Sequence, residues 1–198
     1  MVSRFAIVTV GAISLLLTGL YLRSFESGQI NVMSESQSSV PIEVTLSVPP
    51  SSSSNLGAAS IRVTITNNSP HTVWILSWSS PVDARAVVTG MFKFISTTTN
   101  KPAPCLDMKI NRRMPDFFLP DDDAIVEVPA KGTYEKDFIA KEPEVALTKG
   151  DRYRVKTEGW WMRVWVHDGS TDAAKLEVES AISGDFVSNE IEVDIAEA

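Results

Sequence analysis

The 198-residue sequence predicts an all-β fold: an antiparallel β-sandwich preceded by one N-terminal hydrophobic helix. Three observations lead there. From residue 40 on, apolar residues recur with a period of two, as a half-buried strand requires, because successive side chains point to opposite faces of the pleat. Clusters of Asn, Asp, Gly, Pro and Ser separate these runs at short intervals. Helical signal, by contrast, is nearly confined to residues before 23.

The first element is the stretch from Phe5 to Leu22, 18 residues without a charge, flanked by Arg4 and Arg23. A segment of that length is short for a spanning helix and long for a signal-peptide core. Small residues suited to cleavage are missing around its end, where Leu22 and Ser24 form the nearest pair. Residues 1–23 therefore read as a signal anchor in preference to a cleaved signal peptide. Arg4 and the amino terminus favour a cytoplasmic N-terminus. Both readings put the rest of the chain in the secretory pathway, on a single-pass membrane anchor through residues 5–22 with the C-terminal domain lumenal or extracellular, or secreted if cleavage occurs. Residues 24–39 are polar and Ser-rich, the composition of a flexible linker. Residues 40–198 remain as one domain, large enough to bury a core without staples.

Within that domain, Ile42, Val44, Leu46 and Val48 alternate with polar residues, as do Ile61, Val63 and Ile65. Thr72 to Trp78 is apolar without alternation, which predicts a more deeply buried strand. Further strands are expected at 91–96, 105–110, 124–128, 133–140, 153–157, 160–166, 175–179 and 187–195, with one helical turn at 143–147. The intervening turns include Pro129-Ala130-Lys131-Gly132 and Lys149-Gly150-Asp151. Nine to eleven short strands at this spacing point to a sandwich.

Composition and motifs exclude more than they assign. The formal charge of −7 argues against a nucleic-acid partner, which requires clustered Lys and Arg. Cys105 is the sole cysteine; it admits no intramolecular disulfide and reads as a buried small hydrophobe. His71 and His167 are the only histidines, and neither lies in a His-Glu-x-x-His helix or beside a nucleophile motif. No Gly-rich phosphate loop is present. Asp121, Asp122 and Asp123 lack the spacing and glycine of a calcium loop and read as a solvated turn, while Glu190, Glu192 and Asp194 alternate along one solvated strand face. The expectation is a non-enzyme with no cofactor, no metal and no catalytic residue.

Two local patterns remain as candidates. In Trp160-Trp161-Met162-Arg163-Val164-Trp165-Val166, strict alternation groups Trp161, Arg163 and Trp165 on one face. With the other face in the core, these three form an aromatic-cation-aromatic ladder able to stack on a carbohydrate or a peptide. The alternative is that they lie under a loop or second layer, with Arg163 packed between the indoles. Asn67-Asn68-Ser69 is a formal N-glycosylation site, disfavoured by the Pro70 that follows.

The stretches IRVTITNNSPHTVWILSWSSPVD, DAIVEVPAKGTYEKDFIA, YRVKTEGWWMRVWV and FVSNEIEVDI, in that order, resemble the N-terminal non-catalytic region of fungal deuterolysin-type and peptidyl-Lys metalloendopeptidases. The resemblance rests on a Thr-Asn turn after the opening strand, a Val-x-Pro-x-x-Gly-like turn at Val128 to Gly132, and a closing Ser-Asn-x-x-x-Val strand at Ser188 to Val193. It implies an immunoglobulin-like sandwich of fungal secretory origin. In that family a zinc-binding catalytic domain follows; this sequence ends at Ala198 without its His-Glu-x-x-His helix, so no catalytic or metal residue carries over. The expected role is a non-catalytic accessory domain that binds another protein, as a detached prodomain would bind a secreted peptidase. The alternative is a carbohydrate-binding module using Trp161 and Trp165.

Overall fold

A computed structural model describes residues 40–50, 57–168 and 174–196. The expected anchor and linker, 1–39, lie outside the described residues. In chain order the strands are β1 (Ile42–Ser47), β2 (Ala59–Asn67), β3 (Thr72–Leu76), β4 (Phe92–Ser96), β5 (Phe117–Phe118), β6 (Ile125–Val128), β7 (Thr133–Ala140), β8 (Arg152–His167), β9 (Leu176–Glu177), β10 (Ile182–Val187) and β11 (Ile191–Asp194). The only helical element among the described residues is a single 3-10 turn, Val178–Ser180.

Two antiparallel sheets face each other. One has the order β1-β2-β7, and the other runs β10-β8-β3-β6, with β4 and β11 pairing the first half of β8. Strand β2 shows why the alternation was informative: Ala59, Ile61, Val63 and Ile65 are fully buried, while the residues between them are half-exposed. Those inward side chains meet Val73, Ile75, Phe94, Val155, Trp161 and Val164 of the opposite sheet in one continuous core. Burial of apolar surface on this scale is the main favourable term for folding.

The larger sheet is covered on its outer face as well. Trp74 and Leu76 of β3 and Trp165 of β8 pack with Phe118 and Leu176 of the small β5–β9 ribbon, forming a second cluster. A strand covered on both sides needs no polar face, which accounts for the unbroken apolar run of β3.

Two asparagines tie strand ends together. The Asn67 amide donates to the carbonyls of His71, Val128 and Pro129 at 2.8, 3.1 and 2.9 Å, and its Oδ1 accepts the Ser69 N–H at 2.9 Å. Asn189 plays a similar part across the sandwich: its Oδ1 accepts the Leu46 N–H at 2.7 Å and its Nδ2 donates to the Leu46 carbonyl at 3.0 Å. It thereby closes a stretch of the free edge of β1 as a neighbouring strand would.

Several boundaries differ from expectation. Residues 153–157 and 160–166 belong to one 16-residue strand, β8, that runs through Gly159. Packing rather than a turn favours the glycine, since a Cβ there would stand 3.0 Å from Cζ of Phe186 and the ring would have to give way. The stretch 187–195 is split between the end of β10 and β11 by Ser188 to Glu190, and 175–179 forms only the two residues of β9 before the 3-10 turn. No strand forms at 105–110. Asp107 has a positive φ of 45°, which breaks the pleat, and the amides are taken up singly by different neighbours: Leu106 N–H by Glu144, Met108 N–H by Val88. Residues 142–144 form a turn, with the Val145 N–H donating to the Lys141 carbonyl.

Candidate functional site

The tryptophan-rich half of β8 does not form the ladder; of the two readings, the one that covers Trp165 with a second layer holds. Along β10, Ile182 pairs with Val164 but Gly184 pairs with Trp161, so Met162 and Arg163 together oppose one residue. This is a β-bulge, and it reverses the alternation. Trp161 points into the main core at 0% exposure, whereas Trp165, four residues on, points into the outer cluster at 1%. The two indoles thus lie on opposite faces of the sheet, both buried. Trp161 packs on Phe186 at 4.7 Å between ring centroids, and Trp165 donates its indole N–H to the Glu177 carbonyl at 2.8 Å. Arg163 is half-buried and donates to the Met162 carbonyl. Solvent reaches Trp160 instead, which is half-exposed.

Other single residues also depart from expectation. Cys105 is exposed, because the segment carrying it has no inward face. Asn67 is 1% exposed with its amide nitrogen fully engaged, so a glycan there is incompatible with this arrangement. Asp121 to Asp123 are exposed in a turn, as expected, with Asp122 accepting the Ala124 N–H. Strand pairing brings His71 and His167 to one end of the sheet, since Thr72 pairs with His167. His71 is exposed, while the His167 ring tilts against Trp74 at 5.3 Å.

A more developed site lies between the loop after β3 and the irregular segment before β5. The loop steps down through successive turns from Ser77 to Met91, pinned to the core by Val82 and Ala86. Its organiser is Asp83, 4% exposed, whose carboxylate accepts the N–H groups of Ser79 and Arg85. Arg112 then closes a two-pronged ion pair on it, at 2.7 and 3.1 Å, and lies over the Trp78 ring at 5.3 Å. Burial pushes the Asp83 carboxyl up, but the guanidinium and the two N–H groups outweigh it and hold the group below its ordinary range.

On one side of this ion pair opens a pocket of about 390 Å³, whose apolar wall is Trp78, Ile110, Met91, Met108, Met114 and Met162. Those four are all the methionines that residues 40–198 contain. On the other side a second hollow of about 410 Å³ runs between β6 and β7.

A family model for an immunoglobulin-like domain matches residues 30–195. The chain belongs to the immunoglobulin-like domain family. No curated protein matches it. In this immunoglobulin-like domain the candidate site sits on connections rather than on strands, built by the β3–β4 loop and the long β4–β5 segment over the outer face of the larger sheet. Sequence reading missed it because its members are far apart in the chain: Asp83 and Arg112 are 29 residues apart, and Met162 enters from β8. The available signal was the density of methionine in 91–114 beside Arg112 and Arg113. Chemically the arrangement offers a soft apolar pocket with a fixed cation at its rim, suited to binding a side chain or small apolar group. Among the described residues no group of three or more His, Cys, Asp or Glu is placed to hold a metal ion, and no helix is long and apolar enough to cross a membrane.

Proposed function

We propose that this chain is a non-catalytic, exported immunoglobulin-like domain that binds another protein through the methionine pocket. The observation that carries this reading is the gathering of Met91, Met108, Met114 and Met162 around Trp78 at one mouth. Methionine is unbranched and polarizable, so a wall of methionines adapts to a partner's apolar side chain. Tryptophan and arginine, the residue types that dominate binding energy at protein interfaces, stand beside it already ordered by Asp83. Met108 is about half-exposed, which leaves the apolar wall open to a partner. The resemblance to a peptidase prodomain points to a secreted peptidase as the partner class, and residues 5–22 supply the export.

The test is affinity isolation with the full-length chain as bait, beside a Met108→Lys/Met162→Lys variant of unchanged circular dichroism. A defined protein retained by the natural chain and lost by the variant supports the reading; equal retention by both overturns it. A carbohydrate reading now rests on Trp160, the one exposed indole of β8. Glycan binding that disappears in Trp160→Ala would favour it over protein binding.

A further inference from the structure

We infer that the free edge of β6 is a docking site for an extended, basic polypeptide segment, which adds to the larger sheet as a further strand. The inference goes beyond the methionine pocket and rests on separate observations. Among the described residues, strand β6 is the last in its sheet and pairs only with β3. The register runs to Leu76 opposite Ile125, and one residue on the Ser77 N–H donates to the Ala124 carbonyl at 2.8 Å. In an antiparallel ladder hydrogen-bonded pairs alternate, so Val126 and Val128 turn their main-chain groups toward β3 while Ile125 and Glu127 turn theirs away. The Ile125 N–H is taken by the Asp122 carbonyl. The Ile125 carbonyl and both main-chain groups of Glu127 are left facing the hollow of about 410 Å³ between β6 and β7. Unpaired strand groups lining a hollow accept an extended chain in preference to a helix or a compact ligand.

Charge identifies the chain that fits. Asp122, Asp123 and Glu127 line this hollow, and among the described residues none of the three is paired with a cation. The cations present are occupied: Arg112 is held by Asp83, and Lys136 Nζ donates to the Val82 carbonyl at 2.9 Å. A segment carrying Lys or Arg at alternate positions therefore meets both the main-chain groups and the acids. The same acids oppose a second copy of this chain, since two such edges would bring like charges together. The edge of the facing sheet across this hollow is guarded differently: β7 turns Lys136 inward, over the Phe138 ring at 5.5 Å.

Fluorescence anisotropy with the full-length chain tests this, using three labelled peptides of equal length: alternating Lys-Val, alternating Glu-Val, and Lys-Val interrupted by two central prolines. The Lys-Val peptide should bind saturably and weaken about tenfold from low to high salt, while the other two should not bind. Glu127→Pro removes the outward N–H at a position where an edge strand tolerates proline, and it should cost about tenfold in affinity. Glu127→Gln keeps the N–H and should cost only about threefold. Amide exchange in the natural chain provides a readout that needs no variant: the Glu127 N–H should exchange more slowly when the Lys-Val peptide is bound. Equal binding of the acidic and basic peptides, no binding of any, or unchanged exchange at Glu127 would overturn the proposal. So would protection of Glu127 by self-association of the chain without peptide.

Discussion

Asn67 shows how one side chain reads differently in sequence and in structure. In sequence it is a formal Asn-x-Ser glycosylation site, disfavoured by Pro70; in the fold it is the joint between the β2 end and the β6–β7 turn, with three carbonyls on its amide nitrogen. Asn67→Ala leaves buried carbonyls without donors and should destabilise the domain by about 3 kcal/mol, measurable by urea denaturation. Intact mass of the chain from a glycosylating host should show no glycan at Asn67. The Trp161–Trp165 stretch fails for another reason. Alternation assumes an even ladder, and nothing in WWMRVWV announces a bulge at Met162 and Arg163. Trp161→Ala should cost about 3–5 kcal/mol, the price of emptying a fully buried aromatic site. Removing Arg112 leaves the Asp83 carboxylate buried without its cation, so Arg112→Ala should destabilise by about 3 kcal/mol at neutral pH. Asp83 sits below its ordinary pKa in the folded state, so that contribution is complete above the unfolded value and fades as pH falls through the folded one. The gap between the natural chain and Arg112→Ala should therefore narrow in acid.

At the scale of elements, legibility follows burial. Strands β1 and β2 have one face in the core and one toward solvent, and their period of two could be read directly from Ile42 to Leu46 and Ile61 to Ile65. Strand β3 was legible as deeply buried but not as the seat of a second cluster, because the covering residues, Phe118 and Leu176, come from two-residue strands too short to leave a pattern. The apolar residues at 105–110 read as a strand, but Cys105 makes only an isolated bridge to Val145, Leu106 and Met108 stay exposed, and the Met108 N–H goes to Val88 instead of continuing that pairing. The four stretches quoted for a family resemblance include joints of the sandwich, Asn67 with the Pro129–Gly132 turn and Ser188 with Asn189, and these bear on the immunoglobulin-like fold and not on a peptidase. Such residues speak for a way of closing a sandwich. Asn189→Ala should expose the Leu46 main-chain groups on the β1 edge, costing about 1–2 kcal/mol and raising the tendency of the chain to aggregate, as light scattering during thermal unfolding would show.

At the scale of the whole molecule, charges are placed to hold strands in register. Arg62 of β2 lies opposite Asp137 of β7 and also meets Glu135; Arg152 of β8 lies opposite Asp194 of β11. Lys93 and Lys156 both contact Glu158, and their hydrogen bonds hold its carboxyl down from an ordinary 4.5 to about 2. The Asp137 carboxyl is lowered by its bond to Arg62, and that of Asp151 by the Ser96 and Thr98 hydroxyls. Depressed carboxylates stabilise the fold above their unfolded pKa and lose that contribution as pH falls through the folded values. Urea midpoints should be level above about pH 5 and decline steadily from about pH 4.5 toward pH 2, a decline that Glu158→Gln should make shallower. The exposure of these pairs keeps each effect small.

The claim that the immunoglobulin-like domain works by binding a protein through its methionine pocket meets its most direct test in photo-crosslinking. Incorporation of a photoreactive methionine analogue into the full-length chain, followed by irradiation in cells of its source, should join Met108 or Met162 to one defined protein. The Asp83→Asn/Arg112→Gln variant, which frees the rim, should weaken that crosslink. Crosslinks that fall outside the pocket, or that join the chain only to lipid or glycan, would contradict the account.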